Sequence, residues 1–321
     1  MCVLNKWGLF ILFQRSATNR LFQTKSLPAI KMIISMSIFG SIGFFSVKTN
    51  LPSFELVFVR CICATIFLTL CWIATGQFKE EKWNRKEILQ ILACGVFLVF
   101  NWVFLFKAFE VMSVTIAISV YHLAPIIVLI IGSVVFKERL TVLSIISILI
   151  CFVGTVLVAG MDGSVSIEKL MSSGMVWALL AALFYAFTTL LGKGIKQTSA
   201  YAMTFLQTFL GIFLLLPFVD FGAFQGLTES NWIAITATGL IHTGFVYYLF
   251  FDSLRDLPTR LISVLVFLDP GVAILLDTVF TGFRPTTMQT AGIILIFAGM
   301  ALTFRKSKTK TVVLGENESK T

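Results

Sequence analysis

Ten long apolar runs, almost free of charge, dominate this chain and leave few folds open to it. They lie at 30–47, 54–75, 88–109, 114–136 and 142–159, then at 175–191, 200–219, 232–251, 261–280 and 288–304. A helix that crosses the hydrocarbon core of a bilayer, about 30 Å thick, needs about 20 mostly apolar residues. Ten such segments take roughly two thirds of a chain this long and leave no extramembrane domain. Only 13% of the residues are charged, about half the share that a soluble domain carries. A soluble globular protein, a disordered chain and a collagen-like fibre are excluded. The runs are continuous, whereas an outer-membrane barrel alternates apolar and polar residues along short strands. The expected fold is an all-α membrane protein with ten transmembrane helices.

Residues 1–27 and 305–321 stand outside these runs. The apolar stretch 7–13 is flanked by Lys6 and Arg15, is too short to span, and has no small-residue cleavage site after it. It reads as a basic cytoplasmic extension lying on the membrane surface rather than a signal peptide. Met32 is an alternative start to Met1. With the N-terminus inside, twenty lysines and arginines outside the spans fall on the inner side. Only Lys48, Lys107, Lys169 and Arg284 fall on the outer side. That asymmetry is a positive-inside signal and puts both termini in the cytoplasm.

The net charge of +9 is spread over many cytoplasmic loops beside anionic lipid, so no nucleic-acid partner is expected. Five of the six cysteines lie in expected spans and the sixth is Cys2; no CxxC or Cys/His metal spacing occurs. No metal site is expected.

Sliding the chain against itself exposes a repeat. At an offset of 145, residues 37–48 (SIFGSIGFFSVK) lie on 182–193 (ALFYAFTTLLGK). The same offset puts Pro125 on Pro270, Arg139 on Arg284, Thr141 on Thr286 and Gly154 on Gly299, and brings HLAPIIVLI onto FLDPGVAIL. A slightly larger shift places Arg60 on Gln207. Each repeat, 28–160 and 174–304, holds five expected helices. An odd number of crossings makes the second copy enter from the opposite face, giving two inverted five-helix repeats. This architecture recurs in secondary transporters, with the substrate near mid-membrane between the repeats.

Ten spans, the inverted repeat, Leu-x-Pro in the fourth helix of each half and Lys137-Glu138-Arg139-Leu140-Thr141 after the first resemble the EamA family of the drug/metabolite transporter superfamily. The resemblance covers residues 30 to 304. It implies an exporter or exchanger of amino acids and other small metabolites that works without ATP hydrolysis or a cofactor. Arg60 matches an arginine often seen in that family's second helix, and Asp269-Pro270 its acidic-residue-proline pair. Phe283-Arg284-Pro285 departs from the Gly-Glu-Arg often repeated there.

Ionisable groups inside spans are costly and mark candidate sites. Asp269 lies nine residues past Arg260, roughly 14 Å deep at helical rise. It suits a substrate ammonium or a proton, or alternatively a structural role at the kink beside Pro270. His122 sits at similar depth, three residues before Pro125, and a histidine ordinarily titrates near neutral pH. It is a candidate for proton coupling or a hydrogen-bonded packing residue. Pro125 and Pro270 remove backbone donors and should act as hinges. Arg60 is shallow enough to snorkel and is poorly placed to pair with Glu55, so its partner should lie on another helix. Arg60, with a structural role as its alternative, and the uncharged hydrogen-bonding groups of Asn101, Tyr121 and Tyr247 complete the expected substrate site. Asp277 is a weaker candidate, near the end of its span.

No Walker motif, HExxH or GxSxG is present, so neither an ATP-driven pump nor an enzyme is expected; a channel or sensor on the same fold is the distant alternative. A nucleotide-sugar or phosphometabolite exchanger would present several midplane cations, and Arg60 stands alone. The expected protein is a secondary transporter in a bacterial inner membrane exporting a small polar metabolite such as an amino acid. The orientation has a direct test. A cysteine introduced at 220–230 should react with an impermeant thiol reagent added outside and one at 77–87 should not; the reverse pattern would invert the topology.

Overall fold

The computed structural model describes residues 27–111, 114–138, 140–158, 173–280, 284–304 and 311–312. The basic extension, most of the C-terminal tail and the side chain of Asp277 lie outside the described residues.

The chain is mostly helical. In order come α1 (Leu27–Thr49), α2 (Ser53–Ala74), α3 (Arg85–Val111), α4 (Val114–Tyr121), α5 (Ala124–Val135), α6 (Val142–Val158) and α7 (Ser173–Gly194). Then follow α8 (Ala200–Leu215), α9 (Glu229–Leu254), α10 (Thr259–Leu265), α11 (Leu268–Phe280) and α12 (Thr287–Phe304). Six of these, α1, α2, α3, α7, α8 and α9, are long and apolar enough to cross a membrane. Their outward residues are apolar too: Val47, Leu70, Leu89 and Ile233 are each more than 60% exposed. In water such a surface would aggregate, whereas in lipid it is the ordinary exterior.

The expected fourth and ninth spans are each two helices rather than one. α4 stops at Tyr121 and α5 starts at Ala124; α10 stops at Leu265 and α11 starts at Leu268. Pro125 and Pro270 cannot donate to the carbonyls four residues back, so the ladder fails there. In its place the chain tightens into i→i−3 bonds, Leu123 N–H to the Val120 carbonyl at 3.0 Å and Phe267 N–H to the Val264 carbonyl at 3.1 Å. Elsewhere local chemistry sets the ends. Asn50 closes α1 in the left-handed region at φ 55°, Ser199 caps α8, and Thr228 and Asn231 cap α9 reciprocally. Inside α9, Leu240–Phe245 winds as a π-helical turn.

Contacts between equivalent positions reveal the symmetry. Wherever a residue touches its own repeat mate, the contact lies on the two-fold axis relating them. Trp102 meets Tyr247, His122 meets Phe267, and Cys151 meets the Ile296 carbonyl, all pairs separated by 145. Packing of α6 against α12 is reciprocal in the same register. A Cβ on Gly154 would lie 2.7 Å from the Gly292 carbonyl oxygen, and one on Gly299 would lie 2.8 Å from the Ser147 carbonyl oxygen. α2 packs on α8, α3 on α7, and α1 on α9, so helices of one half are completed by helices of the other.

Direction is inverted between the halves. Lys31, at the start of α1, pairs with Asp252 near the end of α9. Lys193, at the end of α7, pairs with Glu138 and donates to the Leu257 carbonyl. Glu81 and Glu87 accept backbone N–H groups of 196–199 at this same end. At the opposite end Glu110 accepts from Ser53 N–H and Glu55 from Asp220 N–H, while Asn231 donates to the Lys48 carbonyl. Thus α1 begins where its repeat mate α7 finishes.

Close helix approach explains the glycines on α6 and α12. Gly154→Ala and Gly299→Ala should each destabilise the protein by roughly 1–3 kcal/mol through overpacking. Gly271→Ala, whose Cβ would meet only the Phe297 ring at 3.8 Å, should leave the melting temperature in detergent unchanged. Equal melting temperatures for all three variants would contradict the close contact.

Candidate functional site: a cavity on the axis between the repeats

Both halves contribute to a central cavity of about 50 Å³. Met36, Phe39 and Ile42 reach it from α1, Trp102, Leu105 and Phe106 from α3, and Tyr121 from α4. Tyr185 on α7, Tyr247 on α9, Val266 after α10 and Asp269 on α11 close the other side. Two repeat pairs stand in this wall, Trp102 with Tyr247 and Tyr121 with Val266, so the axis runs through it.

The wall is ordered by its own contacts. Trp102 Nε1–H donates to the Tyr247 hydroxyl, with the rings 4.9 Å apart and nearly perpendicular at 73°. Phe39 meets Tyr247 edge-on at 4.9 Å, and Tyr121 meets Tyr185 at 5.4 Å. Such edge contacts suit ring quadrupoles. Asp269 sits in the first turn of α11, immediately before Pro270. Gly40 lets α1 approach there: a Cβ on it would lie 2.6 Å from the Asp269 carbonyl oxygen.

Contacts on the axis pair repeat mates, and the chemistry of the mates differs. The repeat mate of Asp269 is Ala124, that of Tyr121 is Val266, that of Tyr185 is Gly40, and that of His122 is Phe267. One carboxylate and three tyrosine hydroxyls therefore share a cavity that their mates would leave apolar.

Of the residues expected in the substrate site, Asp269, Tyr247 and Tyr121 line the cavity. Asn101 does not. It is buried, and its Nδ2 donates to the Ala181 carbonyl at 2.7 Å and to the Tyr121 hydroxyl at 3.4 Å, which ties α3 to α7 and steadies Tyr121. His122 also lies behind the wall, its Nδ1–H donating to the Ile118 carbonyl at 2.7 Å and its ring 5.5 Å from Phe267.

Arg60 is fully buried and does not snorkel. Its partner is on another helix, as its spacing from Glu55 suggested: Nε–H donates to Thr243 Oγ1 at 2.9 Å. The π-turn of α9 carries Thr243. Pro125 and Pro270 stand just after the two helix breaks.

Sequence reading missed Trp102, Phe106 and Thr243. The offset of 145 from Tyr247 could have singled out Trp102. Thr243 depends on the π-turn, for which the sequence carries no signal.

The cavity's two exits differ. Toward Lys48 and Lys107 a vestibule of about 540 Å³ opens, lined by Asn50, Pro52, Leu56, Phe106 and Glu110 among others; Phe106 belongs to both spaces. The other end is shut by ion pairs that join the halves, Lys31 to Asp252 and Lys193 to Glu138 at 3.2 Å. Glu138 also accepts from Thr259 N–H at 2.7 Å. By contrast, the ion pair described at the vestibule end, Lys107 to Glu110, lies within α3.

Glu138→Gln should loosen the shut end. A cysteine at Phe39, in a background free of other cysteines, should then react several-fold faster with a thiol reagent presented from that face. An unchanged rate would show that the pair does not hold the exit.

Comparison with known proteins places the chain. The model of the EamA-like transporter family matches residues 26–160 and again 172–305. An uncharacterized transporter of Bacillus subtilis (strain 168), YxxF, is 65% identical over 292 residues, 91% of this chain and 94% of that one. An uncharacterized transporter of Archaeoglobus fulgidus is 25% identical over 280 residues, 86% of this chain and 98% of that one. A solved crystal structure shares the fold with a TM-score of 0.74 at 18% identity, over 87% of this chain and 98% of the other. With two matches covering most of its length, the chain belongs to the EamA-like transporter family.

Proposed function

We propose that this protein is a secondary active transporter that exports a small polar metabolite, an amino acid or a close relative, by alternating access. Ten crossings, five in 28–160 and five in 174–304, carry it through the cell membrane. The fourth and ninth crossings are the broken pairs α4–α5 and α10–α11. The end rich in lysine and arginine is cytoplasmic, as are both termini.

One observation carries this reading: a small cavity, on the axis between two inverted repeats, lined by one carboxylate among aromatic walls. Its volume of about 50 Å³ is far below the ~300–1,000 Å³ of pockets that enclose a drug-sized ligand. The cargo therefore enters only if the halves move apart. Two halves with almost the same backbone can exchange conformations, and that exchange moves the opening from one face to the other. Asp269 holds the ammonium of the cargo and, by taking a proton when the cargo leaves, couples export to the proton gradient. Trp102, Tyr121, Tyr185 and Tyr247 enclose the rest. No cofactor enters this cycle.

Asp269→Asn keeps the shape of the side chain and removes its charge. In inverted vesicles supplied with a radiolabelled amino-acid mixture, this variant should fold and insert like the parent and lose uptake. Uptake at the parental rate would make Asp269 a structural residue and remove the proposed site.

A further inference from the structure

The guanidinium of Arg60 is completely buried, and only one of its three nitrogens is used. Nε–H donates to Thr243, while Nη1 and Nη2 are buried without a hydrogen bond among the described residues. Arginine stays charged in proteins, so these N–H groups constitute a standing cost. The faces of Trp102 and Phe106, 5.1 and 5.0 Å from the guanidinium carbon, attract the cation and offer it no acceptor. The nearest acid on its own helix, Glu55, is occupied by Asp220 N–H.

Location gives the unused fork a meaning. Trp102 and Phe106 line the central cavity. Phe106 and Leu56, one helical turn before Arg60, line the vestibule. Arg60 lines neither space itself and lies behind Trp102 and Phe106, whose rings separate it from the cavity. With Nε taken, Nη1 and Nη2 remain as the end-on pair that fits two carboxylate oxygens.

We propose that Arg60 is the anion-binding half of the substrate site: it takes the carboxylate of a ligand whose ammonium is held by Asp269. The site then selects zwitterions of the α-amino-acid class over amines or acids alone. This inference rests on the proposed transport function and goes further by assigning the carboxylate its partner.

The test uses the purified full chain and three matched probe sets built on alanine, leucine and phenylalanine. Each set holds the amino acid, its amide without the carboxylate, and the deaminated acid without the ammonium. Affinity is measured by thermal-shift titration for the parent, Arg60→Met, Arg60→Lys and Asp269→Asn. In the parent, at least one amino acid should bind more tightly than its amide and its acid. Arg60→Met should weaken that amino acid by about tenfold or more, the scale of a charged hydrogen bond, and leave its amide unchanged. Arg60→Lys should fall between. The unliganded melting temperature of Arg60→Met should be equal to the parent's or higher, because an uncompensated charge has been removed.

The proposal is overturned if no carboxylate-bearing probe binds the parent. It is overturned equally if Arg60→Met binds the acids and amino acids as the parent does, or loses stability and weakens all probes alike. Amide binding lost in Asp269→Asn alongside a carboxylate arm indifferent to Arg60 would remove this inference and leave the cation site standing. The converse pattern would remove Asp269 and keep Arg60.

Discussion

Backbone that is not helical is tolerated at membrane depth only where protein covers it, and that constraint organises this molecule. Among the described residues the helical ladder is interrupted at 40–41 within α1 and at 122–123 and 266–267, the last two each ahead of a proline. Those last two cover one another: His122 and Phe267, both fully buried, meet ring to ring at 5.5 Å. Because they are repeat mates, covering the breaks means placing them on the two-fold axis. The cavity follows from the same geometry, since the turn that ends α10 and the first turn of α11 bring Val266 and Asp269 into its wall.

Duplication supplies a machine with two equivalent halves, and substitution since then has made them unequal where function needs it. Asp269 has alanine as its equivalent in the first half, and the π-turn in α9 has a regular helix as its counterpart in α3. Lys193 bridges to Glu138 at one end, whereas its mate Lys48 lies over the Phe44 ring at 3.9 Å. In the proposed cycle, near-symmetry makes inward and outward states alike in packing, and the unequal side chains decide which state is favoured and what the cavity holds.

Much of this was legible from residues alone. Apolar runs located the helices, and the 145-residue offset located the axis: Gly154 and Gly299, aligned by that offset, pack reciprocally in the fold. The proline pair showed where helices would fail, although the breaks fall two to four residues earlier, close to the carbonyls that lose their partners. Side-chain direction was harder. Asn101 and His122 have the depth of site residues, but Asn101 Nδ2 and His122 Nδ1 donate to the Ala181 and Ile118 carbonyls. Depth follows from counting along a helix, whereas facing depends on neighbours that only the packed structure supplies. Arg60 shows the same limit. Its depth allowed an escape to the surface, and only the rings of Trp102 and Phe106 and the Thr243 hydroxyl explain why it stays inside.

The central claim is that the two exits open reciprocally. Pulsed dipolar spectroscopy on the protein in nanodiscs tests it with two spin-label pairs, 137 with 256 at the shut end and 50 with 111 at the vestibule. Both distance distributions should carry two populations, and conditions that lengthen the first distance should shorten the second. Two distances that lengthen together would describe a continuous pore, and two that never change would describe a static bundle; either result would contradict alternating access.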